Sequence, residues 1–122
     1  MRVPFISLTS QHLTIRREVR RSLASIADSQ RFVLGDYGRE LEEKIARYVG
    51  VPYAIGVASG SDALFLSLIA LGVGSGDEVI TTPFTFFASA GSISRTGAKP
   101  VFCDIDPHTY NLDPAQIEAK IT

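Results

Sequence analysis

At 122 residues the chain is long enough for one domain and too short for two ordinary ones, and 45% hydrophobic with 20% charged residues is a globular composition with a core. A net charge of −1 gives no attraction to nucleic acid or an anionic membrane, and a single cysteine, Cys103, cannot form an internal disulfide, which suits a cytoplasmic location. The amino terminus lacks a signal-peptide layout, and the longest apolar stretch, 63–73, falls short of the roughly 20 residues that span a bilayer.

Along the chain, Ile15, Val19, Leu23 and Ile26 predict a helix over 11–27, with Arg16, Arg17, Arg20 and Arg21 on its solvated side. Asp36 is placed to cap a second helix carrying Leu41, Ile45 and Val49. Glu40–Lys44 and Glu43–Arg47 support it at i,i+4 spacing, and Gly50 closes it. Residues 51–58 read as a short strand. Residues 63–71 read as a helix apolar nearly all round, hence buried on more than one side, and Gly72, Gly74 and Gly76 end it.

A strand over 79–82 stops at Pro83, a helix follows over 85–93, and a third strand occupies 101–103. Asp113-Pro114 opens a last helix, with Gln116 in capping-box position. This order predicts an α/β fold whose mostly parallel sheet has helices on both faces. No strand follows the last helix back to the sheet, so the expectation here is an open boundary rather than a finished domain.

Ligands of such sheets bind beyond the carboxyl ends of the strands, where three segments fall here. At Ser59-Gly60-Ser61, open amides and the helix dipole favour an anion, glycine clears its approach, and the two serines add hydroxyl donors. Asp62 is awkward, because its carboxylate repels a phosphate unless it faces elsewhere. A plain helix cap explains the same stretch equally well. No lysine follows as in a nucleotide triphosphate loop. At Phe84, Phe86 and Phe87 the rings either join the core or offer a flat face to a planar ligand. Asp104 and Asp106 suit a divalent cation or, more simply, cap the loop after a strand. The glycines at 72, 74 and 76 lie between a helix and a strand, the wrong direction for a dinucleotide fingerprint. His12 and His108 have no partner at ligand spacing, and Cys103 reads as an inert core thiol.

Taken together, residues 32–114 resemble the amino-terminal part of the DegT/DnrJ/StrS sugar aminotransferases, and the match extends over about 4–122. Gly76-Asp-Glu-Val-Ile80, followed by Thr85-Phe86, and Gly97-Ala-Lys-Pro-Val-Phe-Cys-Asp104 are its distinctive parts. The resemblance implies a fold-type-I enzyme dependent on pyridoxal phosphate (PLP). It implies that Gly60 and Ser61 receive the cofactor phosphate, with serine in place of the family's threonine, and that Phe86 stacks on the ring. It also implies that the Schiff-base lysine, the aspartate facing the pyridine nitrogen and the small carboxy-terminal domain lie outside these residues. Lys44, Lys99 and Lys120 do not match the lysine's motif, so no catalytic residue is assigned, and 1–122 alone is expected to be inactive.

For the intact enzyme the implied reaction moves an amino group from an amino acid to a keto carbon of a nucleotide-linked sugar, in aminosugar or polysaccharide biosynthesis, at a homodimer interface. Two alternatives stand beside it. One is a non-catalytic or regulatory module of the same family. The other is a receiver-like signalling domain, which needs acidic residues grouped at an early strand end, where this sequence has small and aromatic ones.

Overall fold

The computed structural model describes residues 4–122. They fall into two compact units, one running to Gly56 and the other from Val57 to Thr122.

The first unit holds two helices, α1 (Thr9–Ser29) and α2 (Asp36–Val49). Helix α1 extends beyond the expected span at both ends. It closes on Gln30, whose left-handed backbone (φ 54°) aims its amide at the carbonyls of Ile26 and Ala27. Its arginines are exposed as expected, but so are Ile15 and Leu23 on its apolar stripe.

At the start of α2 the cap is Gly35, not Asp36. Asp36 sits one residue inside the helix, where its carboxylate pairs with Arg31 at 3.3 Å and Arg39 at 3.0 Å. Two cations flanking a first-turn carboxylate already favoured by the dipole leave it no reason to turn back as a cap. Lys44 bonds Glu40 at 2.6 Å and so holds the Glu40 carboxyl below its ordinary value. No such pair joins Glu43 and Arg47 among the described residues. Gly50 ends α2 with φ 79°, its amide on the Ala46 carbonyl, as a left-handed closing residue does.

The chain then runs without regular structure, and the strand expected over 51–58 does not form. An alternating apolar run makes a segment extended, but a strand also needs a neighbour to share its amides. Here the Gly56 amide donates to the Glu42 carboxylate at 2.7 Å instead.

The second unit runs α3 (Gly60–Ala70), β1 (Glu78–Thr81), α4 (Ala88–Arg95), β2 (Lys99–Phe102) and α5 (Pro114–Ile117), with a 3₁₀ turn over Glu118–Lys120. β1 and β2 pair in parallel with α4 as the crossover, Glu78 opposite Lys99 and Thr81 opposite Phe102. The amides of Lys99 and Cys103 donate to Asp77 and Thr81. Alternate residues thus serve β1, and Pro100, which has no amide, falls on the other edge. Around this pair lie the buried residues of the unit: Ser92, Ile93, Ala98 and Cys103.

Helix α4 begins at Ala88, three residues later than the pattern suggests. The intervening residues are spent in a turn, with the Phe84 amide on the Thr82 hydroxyl and the Thr85 amide on the Pro83 carbonyl. The expected burial of α3 is also not met: Leu64, Leu66 and Ile69 are each close to half exposed. Its main packing partner is α4. Asp113 caps α5 as expected, taking the Ala115 amide at 3.0 Å and the Gln116 side chain at 2.7 Å. No described helix is long and apolar enough to cross a membrane.

Candidate functional site

Helix α3 opens with a reciprocal cap. Ser59 Oγ accepts the Asp62 amide at 3.1 Å and donates to Asp62 Oδ2 at 2.9 Å. The plain-cap reading therefore holds for Ser59, whose hydroxyl is spent and is not the anion donor expected of it. The cap also explains Asp62, which is turned sideways to Ser59 and to Arg95 at 3.5 Å.

The amides of Gly60 and Ser61 have no acceptor among the described residues, and neither has the Ser61 hydroxyl a partner. A helix start with two open amides is a ready anion seat. Gly60 needs neither a left-handed backbone nor extra room: a methyl added there meets nothing within 4 Å. Nothing in the fold itself demands glycine at this position.

The three phenylalanines after β1 divide their work. Phe84 pairs with Tyr110, ring centres 6.0 Å apart. Phe87 lies over Gly91, where an added methyl would come within 2.9 Å of its ring. Phe86 has no such engagement among the described residues; its exposure, 77%, is close to the 82% of Phe87, so the contact and not the exposure sets it apart. Phe86 and Ser61 line one cavity of about 580 Å³, with Phe87, Ser92, Arg95 and Phe102 also in its wall. Gly60 is not part of that wall but precedes Ser61 directly.

Two wall residues escaped the sequence reading. Ser92 is 2% exposed and donates to the Ser61 carbonyl at 3.3 Å. Arg95 reaches Asp62 and lies 4.2 Å above the centre of the Phe65 ring. The one signal for them is a hydroxyl and a cation, Ser92 and Arg95, on a helix otherwise rich in small residues.

The remaining candidates lie elsewhere. Asp104 takes the Ile105 amide at 2.8 Å, and Asp106 takes those of His108 and Thr109 at 2.7 and 3.2 Å, so both brace the loop after β2. Lys44 is committed to Glu40 and Lys99 to Glu78 at 2.6 Å each. Cys103 is buried, its sulfur 3.8 Å from the Asp113 carbonyl. A second cavity of about 450 Å³ lies in the first unit, beside Arg31, Tyr37 and Glu42. Its charged groups are already paired with Asp36 and the Gly56 amide, which leaves little to fix a ligand.

Comparison with known proteins gives this arrangement a context. The family model described as the DegT/DnrJ/EryC1/StrS aminotransferase family matches residues 13–122. The chain is 55% identical over 122 residues to a pleiotropic regulatory protein of Geobacillus stearothermophilus, covering all of this chain and 33% of that protein. It is 45% identical over 120 residues to a UDP-2-acetamido-2-deoxy-3-oxo-D-glucuronate aminotransferase of Pseudomonas aeruginosa, covering 98% of this chain and 33% of the enzyme. Among solved structures, NtdA of Bacillus subtilis with bound cofactor PMP superposes with a TM-score of 0.90 at 31% identity, over 99% of this chain and 28% of that one. The chain thus spans about a third of the length of the curated relatives it matches.

Proposed function

Because the chain belongs to the DegT/DnrJ/EryC1/StrS aminotransferase family, we propose that the intact protein carrying it is a PLP-dependent aminotransferase acting on a nucleotide-linked keto sugar, with an amino acid as donor. One observation carries the reading: Ser61, at an anion-ready helix start, and the free ring of Phe86 border the same cavity. That combination fits a phosphorylated planar ring. Gly60 and Ser61 would hold the phosphate through their open amides and the Ser61 hydroxyl, and Phe86 would face the ring. When bound, the cofactor supplies the electron sink for amino-group transfer.

The residues of this chain bind and orient. The Gly60 and Ser61 amides would hold the charged end and Phe86 would face the aromatic end, with the Phe87 and Phe102 rings supplying apolar wall. None of Lys44, Lys99 and Lys120 is assigned to proton transfer. That role belongs to another residue of the intact protein, which we take to be a cytoplasmic homodimer with these residues forming the amino-terminal portion of its large domain.

Absorption spectroscopy of the intact protein purified with PLP tests this. A visible band of bound cofactor that changes on adding L-glutamate is expected, and turnover should require a nucleotide-linked keto sugar. A protein that takes up no PLP overturns the reading. The 55% identity to a protein named as regulatory favours one second reading, a regulator built on the same scaffold. Cofactor uptake without transamination of any keto sugar would support it. Family membership leaves no place for the receiver-like alternative.

A further inference from the structure

Asp62 directly follows Ser61 in the seat that a phosphate would occupy, and the sequence alone makes its carboxylate an obstacle. Two side chains of α4 change that. Arg95 brings a guanidinium to 3.5 Å from Asp62 Oδ1 and rests on the Phe65 ring, so the charge of the carboxylate is met from the side. Ser92 acts on the backbone. In mid-helix a serine hydroxyl ordinarily turns back to a carbonyl of its own helix. This one, 2% exposed, crosses instead to the Ser61 carbonyl at 3.3 Å. The peptide joining Ser61 to Asp62 is then held at both ends, its carbonyl by Ser92 and its amide by Ser59 Oγ at 3.1 Å. The preceding peptides, which carry the open amides, hang from that fixed plane.

We propose that α4 conditions the first turn of α3 for a dianion: Arg95 cancels the Asp62 charge, and Ser92 fixes the Ser61–Asp62 peptide. Both are positioning residues, acting through Asp62 and Ser61. The inference rests on the cofactor reading above and adds to it a pair of residues on a different helix.

The affinities of the intact protein for PLP and for pyridoxal, which lacks the phosphate, separate the two. A defect in folding or ring stacking moves both affinities, whereas a defect in the phosphate seat moves only their ratio. Arg95→Gln should lower the PLP-to-pyridoxal ratio about tenfold, since an unbalanced charge then stands beside a doubly charged ligand in a partly screened medium. Arg95→Lys should keep the ratio within about twofold of wild type, and Asp62→Asn combined with Arg95→Gln should restore it, because charge balance is what both preserve. Ser92→Ala should lower it about threefold, the value of one long hydrogen bond. An unchanged ratio in Arg95→Gln, or a double variant no better than the single one, overturns the proposal while leaving the cofactor reading intact. Wild-type protein that binds PLP no more tightly than pyridoxal overturns both.

Discussion

Ser59 and Asp62 cap one another at the start of α3, hydroxyl to carboxylate at 2.9 Å and amide to hydroxyl at 3.1 Å. The exchange uses the third amide of the helix start and leaves those of Gly60 and Ser61 open. Since a methyl at Gly60 meets no atom within 4 Å, Gly60→Ala separates stability from binding. The unliganded intact protein should gain up to about 0.5 kcal/mol in denaturant unfolding, because alanine loses less backbone freedom on folding. PLP affinity should fall about tenfold as the methyl crowds the approach to the amides, a cost of about 1.4 kcal/mol. Unchanged affinity in a titration would remove Gly60 from the site.

Phe86 is 77% exposed, so its ring contributes little to the fold. Phe86→Ala should leave unfolding stability within about 0.5 kcal/mol of wild type, as surface substitutions do. It should weaken PLP about fivefold, the worth of one stacked pair. Phe86→Tyr should bind normally. A large loss of stability would instead assign the ring to packing.

Glu78 and Lys99 face each other across the parallel strands at 2.6 Å. The hydrogen bond from Lys99, followed by that from Thr122, holds the Glu78 carboxyl below its ordinary 4.5. A carboxyl depressed in the folded state stabilises above its unfolded value and ceases to do so as the pH drops through the folded one. Melting temperature measured from pH 7 to pH 3 should therefore fall more steeply below about 4.5 in wild type than in Lys99→Met. Parallel acid limbs would show that the pair is fully screened at the surface.

Cys103 is 1% exposed between β2 and the loop that leads to α5. A thiol is reactive only where solvent and reagent reach it. In the intact protein a thiol reagent should modify Cys103 no faster than the second unit unfolds, with a rate that rises with denaturant. Rapid labelling in buffer alone would contradict the burial.

Much of this was legible from residue order. Periodic apolar residues located both amino-terminal helices, and Gly50 and Asp113 marked a helix end and a helix start, because backbone chirality and local capping act over a few residues. The run at 51–58 shows the limit: its pattern encodes an extended chain, whereas a strand depends on a neighbour that pattern does not identify. Asp36 shows another, since its choice between capping and ion pairing turned on Arg31 and Arg39 together. Phe84, Phe86 and Phe87 are alike in sequence, and only packing against Tyr110 and Gly91 distinguishes the free ring. Ser92 and Arg95 carry no motif at all. Their role exists only because α4 packs across the start of α3.

The pairing of β1 with β2 through a single short helix has a consequence for biogenesis. The three elements are consecutive, so the ladder closes a modest loop and can form early on a nascent chain leaving the ribosome. At that moment the half-exposed leucines of α3 are open to chaperones or to other nascent chains. Until that apolar surface finds a partner, it is a site at which the nascent chain can aggregate.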